Sequence, residues 1–241
     1  MEGILLVDKP SGMTSHDVVQ RLRKITGIQR VGHTGTLDPQ ATGLMIICFG
    51  RTTKLSLKFS ESDKIYQVRF LLGLETDTYD STGKVIDKKP VNITEMKLEE
   101  LILDFKGIQQ QRPPLYSAVK VRGRKLYEYA RRNIPVEAPL RTITIYSLKL
   151  LSYDSPRGVL EVNCSKGTYV RTLVHDIGQK LGVGAVAEAI RRTQSGMFRV
   201  EMALTLDQIQ NNESPKAFVS SSLLAFSNFD REISFSASLI S

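Results

Sequence analysis

The sequence predicts an α+β protein with a sheet that is at least partly antiparallel. Residues 64–72 alternate apolar and polar side chains, which is the pattern of a strand with one buried face. Two β-branched runs, 141–153 and 159–164, flank the turn-forming sequence Asp-Ser-Pro-Arg-Gly and predict an antiparallel hairpin. Elsewhere apolar residues recur at the spacing of a helix, which predicts amphipathic helices beside the strands.

The composition is that of a globular protein with a basic surface. The chain has 241 residues, of which 41% are hydrophobic, so it is long enough to bury most of its apolar surface. Lys and Arg outnumber Asp and Glu by 33 to 25, and the net charge of +8 favours an anionic partner. A basic surface without such a partner is the alternative.

The cysteines and the first residues indicate the compartment. Cys48 and Cys164 lie in separate apolar runs, so we expect two buried thiols rather than a disulfide framework or a zinc site. The apolar run 3–7 is far shorter than the ~18 residues that a membrane span needs. We therefore expect a cytoplasmic protein without a membrane partner.

The first elements in chain order are a strand and a helix. The run 3–7 predicts a buried strand, which ends at Asp-Lys-Pro and places Lys9 at the strand end. Thr14 and Asp17 form a capping-box pattern, and Gly27 closes a predicted helix over about residues 15–26. Its polar face either meets solvent or contacts phosphate through Arg21, Arg23 and Lys24, followed by Arg30.

A glycine-rich loop with one carboxylate follows. Residues 31–43 read V-G-H-T-G-T-L-D-P-Q-A-T-G, and the wholly apolar run 44–49 predicts a strand buried on both faces. Asp38 precedes a proline, which disfavours helical backbone and places the carboxylate on an extended segment. The residues leave two interpretations: an Asx-type turn that begins at Asp-Pro, or a loop shaped to present the carboxylate.

Helices dominate the later predictions. Apolar residues at 98, 101, 102 and 105 predict one helix, and residues 169–181 predict another that stops at Gly182. Arg171 lies in the first turn of the latter, where a cation opposes the helix dipole, so we expect an acid nearby. We also predict a short helix over 185–193 and two weak helices over 204–209 and 215–226.

The chemistry-bearing side chains narrow the reaction class. The three histidines are scattered, the acidic stretch 75–83 lacks calcium-loop spacing, and neither a serine-nucleophile motif nor a phosphate loop occurs. We therefore expect no metal centre. A single aspartate, Asp38, remains for nucleophilic or base chemistry on a sugar or a nucleobase.

The stretch 112–132 has the composition of an RNA-binding surface. It contains seven Lys or Arg and one acid, interleaved with three tyrosines. Cations that follow phosphates and rings that stack on bases would form an RNA groove, although the same residues could be plain surface. The cations of this predicted basic stretch are Arg112, Lys120, Arg122, Arg124, Lys125, Arg131 and Arg132.

Several separated motifs resemble the TruB family of tRNA pseudouridine synthases. Residues 32–43 match its catalytic-loop pattern G-H-x-G-x-L-D-P-x-A-x-G at every fixed place, and the acidic loop and the basic stretch also have counterparts there. The resemblance covers roughly residues 3–200. It implies the α+β pseudouridine-synthase fold, a mixed and mostly antiparallel sheet flanked by helices and loops. The implied reaction converts the uridine at position 55, in the T arm of tRNA, without a cofactor.

The resemblance also implies roles for individual residues. Asp38 would attack the uridine at C6 or at the sugar C1′, and Arg171 would pair with Asp38. Tyr66 would stack on the flipped base and assist removal of the C5 proton, and His33 would fill the gap left in the RNA loop. Two more residues would line the pocket: Lys9, and Ile190 where the family usually has leucine.

The domain prediction is a catalytic domain over 1–226 and a short tail over 227–241. Family members usually carry a further C-terminal RNA-binding domain of the PUA type, which we expect to be missing here, so that RNA contact is confined to the T arm. A non-catalytic RNA-binding or tRNA-chaperoning protein is the main alternative function. A metal-dependent nuclease is a third.

Overall fold

Strands outnumber helices in a computed structural model that describes residues 1–223. The strands in this range are β1 (Gly3–Lys9), β2 (Val31–His33), β3 (Thr42–Phe49), β4 (Lys64–Leu72), β5 (Leu74–Thr76), β6 (Val85–Lys88), β7 (Gly107–Gln111), β8 (Lys120–Val121), β9 (Arg124–Lys125), β10 (Arg141–Asp154), β11 (Arg157–Cys164), β12 (Ala185–Ser195), β13 (Phe198–Arg199) and β14 (Leu204–Thr205). The α-helices are α1 (Ser15–Thr26), α2 (Ser56–Ser60), α3 (Glu95–Leu103), α4 (Leu126–Arg131), α5 (Val170–Leu181), α6 (Leu206–Gln210) and α7 (Pro215–Ser221).

The chain divides into two compact units. The first begins with Met1–Ser62 and resumes at Arg192, and the second is Asp63–Arg191. The division falls inside β12, so this one strand supplies residues to both units.

In the first unit, β3 is the central strand. It pairs antiparallel with β1, from Gly43 opposite Lys9 to Phe49 opposite Gly3, and with β2 at its C-terminal end. β14 joins the other side of β1 in the parallel direction. Every β3 residue from Gly43 to Phe49 is buried, which confirms the predicted strand with two buried faces. One core cluster of this unit contains Ile4, Leu6, Leu44, Ile46, Cys48, Phe59, Phe198 and Val200.

The capping residues of α1 act as predicted. The Thr14 hydroxyl accepts a hydrogen bond from the Asp17 amide, and the Asp17 carboxylate accepts one from the Thr14 amide. Gly27 takes the left-handed conformation, with φ 73°, and its N–H donates to the Arg23 carbonyl. Two orphan amides and one orphan carbonyl of the helix are thereby satisfied.

In the second unit, four strands form an antiparallel order β4–β11–β10–β7. The residues of β4 alternate between buried and less buried positions, as its sequence pattern predicts, and β10 with β11 forms the predicted hairpin. α3 packs near β10, and α5 near β4. The two units together contain both antiparallel and parallel strand pairs with helices against them, so the predicted α+β class is confirmed.

The predicted helix over 185–193 is wrong, because these residues lie in β12. α5 ends at Gly182, and Gly184, with φ 77°, redirects the chain before β12 begins. Backbone pairing then replaces helical bonds: Ala187 exchanges hydrogen bonds with Tyr79 and Ser81 in the second unit. Alanine favours a helix, but intrinsic propensity is a weak determinant of structure, and this tertiary pairing overrides it.

The C-terminal predictions hold in part. Residues 204–209 begin as the short strand β14 before α6, and α7 ends at Ser221 rather than at residue 226. Residues 224–226 and the predicted tail 227–241 lie outside the described residues. The division into a catalytic domain and a tail therefore stays a prediction. Within residues 1–223, no helix is long and apolar enough to cross a membrane.

Both cysteines are buried free thiols, as predicted. Burial raises the pKa of Cys48 to about 11 and that of Cys164 to about 12. Neither thiol is therefore a thiolate at neutral pH.

Gly178 in the interior of α5 yields a test of the packing. Alanine normally stabilises a helix interior by about 1 kcal/mol relative to glycine. Here a Cβ at Gly178 would overlap the backbone of Gly184 and Ala185, which must then shift. We predict that Gly178→Ala lowers the free energy of unfolding by about 1–3 kcal/mol, as overpacking does. Denaturant titration measures this, with the exposed Gln179→Ala in the same helix as the control; a more stable Gly178→Ala protein would contradict the packing.

Candidate active site

The predicted catalytic loop connects two adjacent strands of the first unit. β2 ends with His33 opposite Ile47 of β3, and the Thr34 amide still donates to the Ile46 carbonyl at 3.1 Å. β3 begins at Thr42, so the loop proper is shorter than residues 31–43 at both ends. Asp38 lies in the middle of this connection.

Asp38 opens a β-turn. Its carbonyl accepts a hydrogen bond from the Ala41 amide at 3.0 Å, and Pro39 occupies the second turn position, which proline favours. A turn at Asp-Pro is therefore present in the backbone, whereas the Asx form of the prediction, in which the Asp38 side chain binds the backbone, stays a prediction. This hydrogen bond uses the backbone carbonyl of Asp38, so it is compatible with a catalytic role for the carboxylate.

Groups outside the loop bind the backbone on both sides of Asp38. On one side, the Ser15 hydroxyl donates to the Leu37 carbonyl at 3.1 Å and accepts from the Leu37 amide at 2.9 Å. On the other side, the Pro39 carbonyl accepts from the Gly12 amide at 2.9 Å and from the Lys9 ammonium at 3.0 Å. The peptide units that flank Asp38 are thus fixed from α1 and from the end of β1.

Lys9 is a buried cation beneath the loop. Besides Pro39, its ammonium donates to the carbonyls of Met13 at 2.6 Å and Pro10 at 2.8 Å. Burial lowers the pKa of Lys9 to about 8, and the nearby Asp38 carboxylate opposes this effect, followed by that of Asp17. In the structure the ammonium binds three backbone carbonyls and thereby stabilises the loop, while its implied place at the pocket stays a prediction.

Arg192 binds the loop from β12, and the sequence analysis did not identify it. Its side chain is buried, with Nε donating to the Leu44 carbonyl at 2.7 Å and Nη2 to the Gly35 carbonyl at 3.2 Å. A Cβ at Gly35 would meet the Arg192 guanidinium at 3.2 Å, and one at Gly43, where φ is 102°, would overlap the Arg192 backbone. Both positions therefore need glycine, because a side chain at either would crowd or overlap Arg192.

His33 lies at the end of β2, next to the loop. Burial lowers the pKa of His33, and the positive charges of Arg192 and then of His16 lower it further. The imidazole is therefore neutral at pH 7. Its Nδ1 has no hydrogen-bond partner among residues 1–223.

Arg171 lies in the first turn of α5, in the second unit, and has the acid neighbour that its position predicts. Only 5% of its side chain is exposed, and Nη1 meets the Asp80 carboxylate at 3.2 Å. The guanidinium also donates to the Thr78 carbonyl at 2.9 Å and to the Tyr116 carbonyl at 3.1 Å. The implied pairing of Arg171 with Asp38 stays a prediction.

Asp80 is a second residue that the sequence analysis missed. Its Oδ1 accepts hydrogen bonds from the Thr78 hydroxyl at 2.8 Å, the Thr82 amide at 3.0 Å and the Thr82 hydroxyl at 2.6 Å. Its Oδ2 is directed at Arg171. The sequence indicated only that Arg171 needs an acid nearby. No pattern in the residues around Asp80 indicated that Asp80 is this acid.

Tyr66 and Ile190 are also residues of the second unit. Tyr66 is on the buried face of β4, opposite Val162 of β11. Ile190 is buried on β12, a strand and not the predicted helix. Their implied roles at the uridine stay predictions.

The basic stretch forms a hairpin followed by a helix. β8 and β9 pair through the two-residue turn Arg122–Gly123, whose φ values of 49° and 82° are those of a type I′ turn. A small apolar cluster that includes Val119 and Leu126 anchors it. The exposed cations are Lys120, Arg122, Arg124, Arg131 and Arg132, with Lys125 partly exposed.

Some members of this stretch already have partners in the protein. Arg112 forms an ion pair with Glu137 at 2.7 Å and donates to the Ala138 carbonyl at 2.6 Å. Two cations, Lys125 and Arg131, lie over the ring of Tyr127, at 5.4 and 5.2 Å from its centroid. The exposed hairpin cations Lys120, Arg122 and Arg124 are thus better suited to contact phosphate than Arg112, Lys125 and Arg131. Within residues 1–223, no group of three or more His, Cys, Asp or Glu residues is placed to hold a metal ion.

Two family models match consecutive parts of the chain. The model described as "TruB family pseudouridylate synthase (N terminal domain)" matches residues 23–170. The model described as "tRNA pseudouridylate synthase B C-terminal domain" matches residues 171–223.

Curated proteins and solved structures agree with this match. The chain is 49% identical to the tRNA pseudouridine synthase B of Caldanaerobacter subterraneus subsp. tengcongensis, over 89% of this chain and 76% of that protein. It is 48% identical to the protein of that name from Aeromonas salmonicida, over 87% of this chain and 66% of the relative. A solved Cbf5–Nop10–Gar1 complex contains a similar chain, with a TM-score of 0.70 and 29% identity over 90% of this chain and 59% of that chain. The protein therefore belongs to the TruB family of pseudouridylate synthases, as its catalytic-loop motif indicated.

Proposed function

We propose that this isomerase converts the uridine at position 55 of tRNA, in the T arm, to pseudouridine. Relatives that share almost half of its residues bear the name tRNA pseudouridine synthase B, which supports tRNA as the substrate class. A cytoplasmic location, where such a tRNA would be met, is part of the proposal.

The observation that carries the proposal is the fixed backbone around Asp38. Ser15 binds Leu37 on one side, and Lys9 and Gly12 bind Pro39 on the other. A catalytic group gains most when its position is set before substrate binds, because no free energy is then spent on ordering it. Asp38 is the carboxylate that the matched family motif places at the centre of this loop.

The proposed reaction is an isomerisation in which nothing is gained or lost. The uridine leaves its stack, and the Asp38 carboxylate attacks it at C6 of the base or at C1′ of the sugar. The bond between N1 and C1′ breaks, the base rotates, C5 forms the new bond to C1′, and the bond to Asp38 breaks so that its carboxylate is regenerated. The proton on C5 is removed, and N1 carries a proton in the product.

Other residues support these steps in the proposal. Arg171 would pair with Asp38 and stabilise its ionised form, since a neighbouring guanidinium favours a carboxylate. Tyr66 would stack on the flipped base and assist removal of the C5 proton. His33, with its pKa lowered, would enter the RNA loop as a neutral ring and stack where the uridine had been.

The hairpin of β8 and β9 is the proposed site of phosphate contact. Its exposed cations follow one another along two short strands, and the type I′ turn fixes the arrangement of the backbone that carries them. Phosphate contacts position an RNA without reading its sequence, so recognition of the T arm would come from the loop around Asp38.

The direct test is incubation with an unmodified T-arm transcript, followed by pseudouridine-specific chemical mapping. We expect one modified nucleotide at position 55 and none when that position is cytidine. Binding without any modification would instead support a non-catalytic RNA-binding or tRNA-chaperoning protein, and chelator-sensitive cleavage would support a nuclease.

Asp38→Asn is expected to abolish isomerisation while RNA affinity stays nearly unchanged. The amide keeps the size and hydrogen bonding of the side chain, but it can act neither as a nucleophile nor as a base. Single-turnover rates and binding titrations on the T-arm transcript separate the two effects, with Asp87→Asn on the exposed strand β6 as the control. A residual rate within about tenfold of the wild-type rate would refute the catalytic assignment.

Arg171→Lys is expected to lose most of the rate. Three acceptors, from Asp80, Thr78 and Tyr116, surround a planar guanidinium, and a single ammonium cannot reproduce that geometry. The exposed Arg157, which pairs with Glu188, gives the matched control Arg157→Lys. If both variants turned over at the same rate, the orientation of Arg171 would not matter to the reaction.

A further inference from the structure

Two side chains of α5 bind three consecutive residues of the loop between β5 and β6. Arg171 and His175 are four residues apart, so they lie on the same face of the helix, one turn from each other. Arg171 binds the Thr78 carbonyl and the Asp80 carboxylate. The residue between them, Tyr79, lies against His175.

Tyr79 has an unusual backbone conformation. Its φ of 63° is in the left-handed region, which costs free energy for a residue that carries a Cβ. Such a conformation persists only where the surroundings fix it. The Tyr79 carbonyl accepts from the Ala187 amide at 3.1 Å, and the Ser81 amide donates to the Ala187 carbonyl at 3.0 Å.

The side chain supplies the other constraint. The rings of Tyr79 and His175 stack with centroids 3.9 Å apart and an angle of 16° between their planes. The His175 Nδ1 has no hydrogen-bond partner within residues 1–223. The ring is therefore held here by its stack on Tyr79 and not by a hydrogen bond from Nδ1. Burial lowers the pKa of His175, although the negative charge of Glu75 raises it in part. The lowered pKa favours a neutral imidazole.

The left-handed turn at Tyr79 determines where its two neighbours point. Thr78 and Asp80 present a carbonyl and a carboxylate to the same guanidinium from either side of Tyr79. A rotation of the Tyr79 backbone into an ordinary region would move at least one of these acceptors away from Arg171. The stack therefore stabilises the conformation in which both acceptors reach the guanidinium.

We propose that Tyr79 and His175 are positioning residues for the reaction, acting through Asp80 and Thr78 on the orientation of Arg171. This inference rests on the proposed function, because it assigns the stack to the orientation of a proposed catalytic arginine. A stack that only stabilises the fold is the competing explanation, and it predicts no effect on the rate well below the melting temperature.

The experiment compares Tyr79→Ala, Tyr79→Phe, His175→Ala and His175→Phe with wild type in single-turnover pseudouridine formation on the T-arm transcript. Tyr153→Ala is the matched control, because Tyr153 stacks on Phe70 in the same unit with rings 17° from parallel. We expect Tyr79→Ala and His175→Ala to lower the maximal rate on the order of tenfold, the scale of a small misplacement, with RNA affinity nearly unchanged. The two phenylalanine variants keep a ring and should stay near the wild-type rate, as should Tyr153→Ala.

Two further readouts separate positioning from stability. If the stack acts through Asp80 and Thr78, Tyr79→Ala should slow the Asp80→Asn protein less than it slows the wild-type protein, because effects within one unit are not additive. The Nε–Hε signal of Arg171 in NMR spectra should move in Tyr79→Ala and stay in Tyr79→Phe.

Three outcomes would overturn the inference: a wild-type rate for Tyr79→Ala, multiplying effects in the double variant, or an unmoved Arg171 signal. Each of these leaves the proposed function standing if the wild-type protein forms pseudouridine. A wild-type protein that forms no pseudouridine on any tRNA refutes the proposed function itself, and the assignment of the stack to catalysis with it.

Discussion

The buried ammonium of Lys9 binds the backbone next to Asp38, and the neighbouring strands and turns of the first unit supply the acceptors that make its burial possible. A buried lysine is costly unless every donor finds an acceptor, and Lys9 uses three carbonyls, from Pro10, Met13 and Pro39. The antiparallel register places Lys9 opposite Gly43, at the point where the loop enters β3. The end of β1 and the start of α1 thus both contact the turn at Asp38. Lys9 and Ser15 occupy these positions because their side chains bind its backbone.

The same principle recurs at two buried arginines, one in each unit. Arg192 connects Gly35 to Leu44 across the base of the loop, and Arg171 takes its orientation from carbonyl and carboxylate oxygens contributed by two other segments. Each cation is buried and has several hydrogen-bond partners, so moving it would leave oxygens unsatisfied. Contacts of this kind order each segment before substrate binds, as the proposed aspartate-dependent isomerisation would require.

Local patterns in the sequence predicted those parts of the fold whose causes are local. The cap at Thr14, the alternation in β4 and the hairpin of β10 and β11 are determined by neighbouring residues, and all three are confirmed. β12 was mistaken for a helix because its alanines carry little β preference, and pairing with distant segments decides its conformation. Within the site, the position of the Asp38 loop was predictable from its motif. Asp80 and Arg192 were not, because their partners lie 91 and 157 residues away in sequence.

The central claim is that Asp38, on its fixed backbone, is the group that meets the flipped uridine. The most direct measurement is a crystal structure of the Asp38→Asn variant bound to an unmodified T stem-loop, since this variant should bind the substrate without converting it. We predict that the uridine is extruded from the loop and that the side chain at position 38 lies about 3–3.5 Å from C6 or C1′, the distance of a near-attack geometry. A uridine that stays stacked in the RNA loop, or one extruded against other residues with position 38 out of reach, would contradict the account.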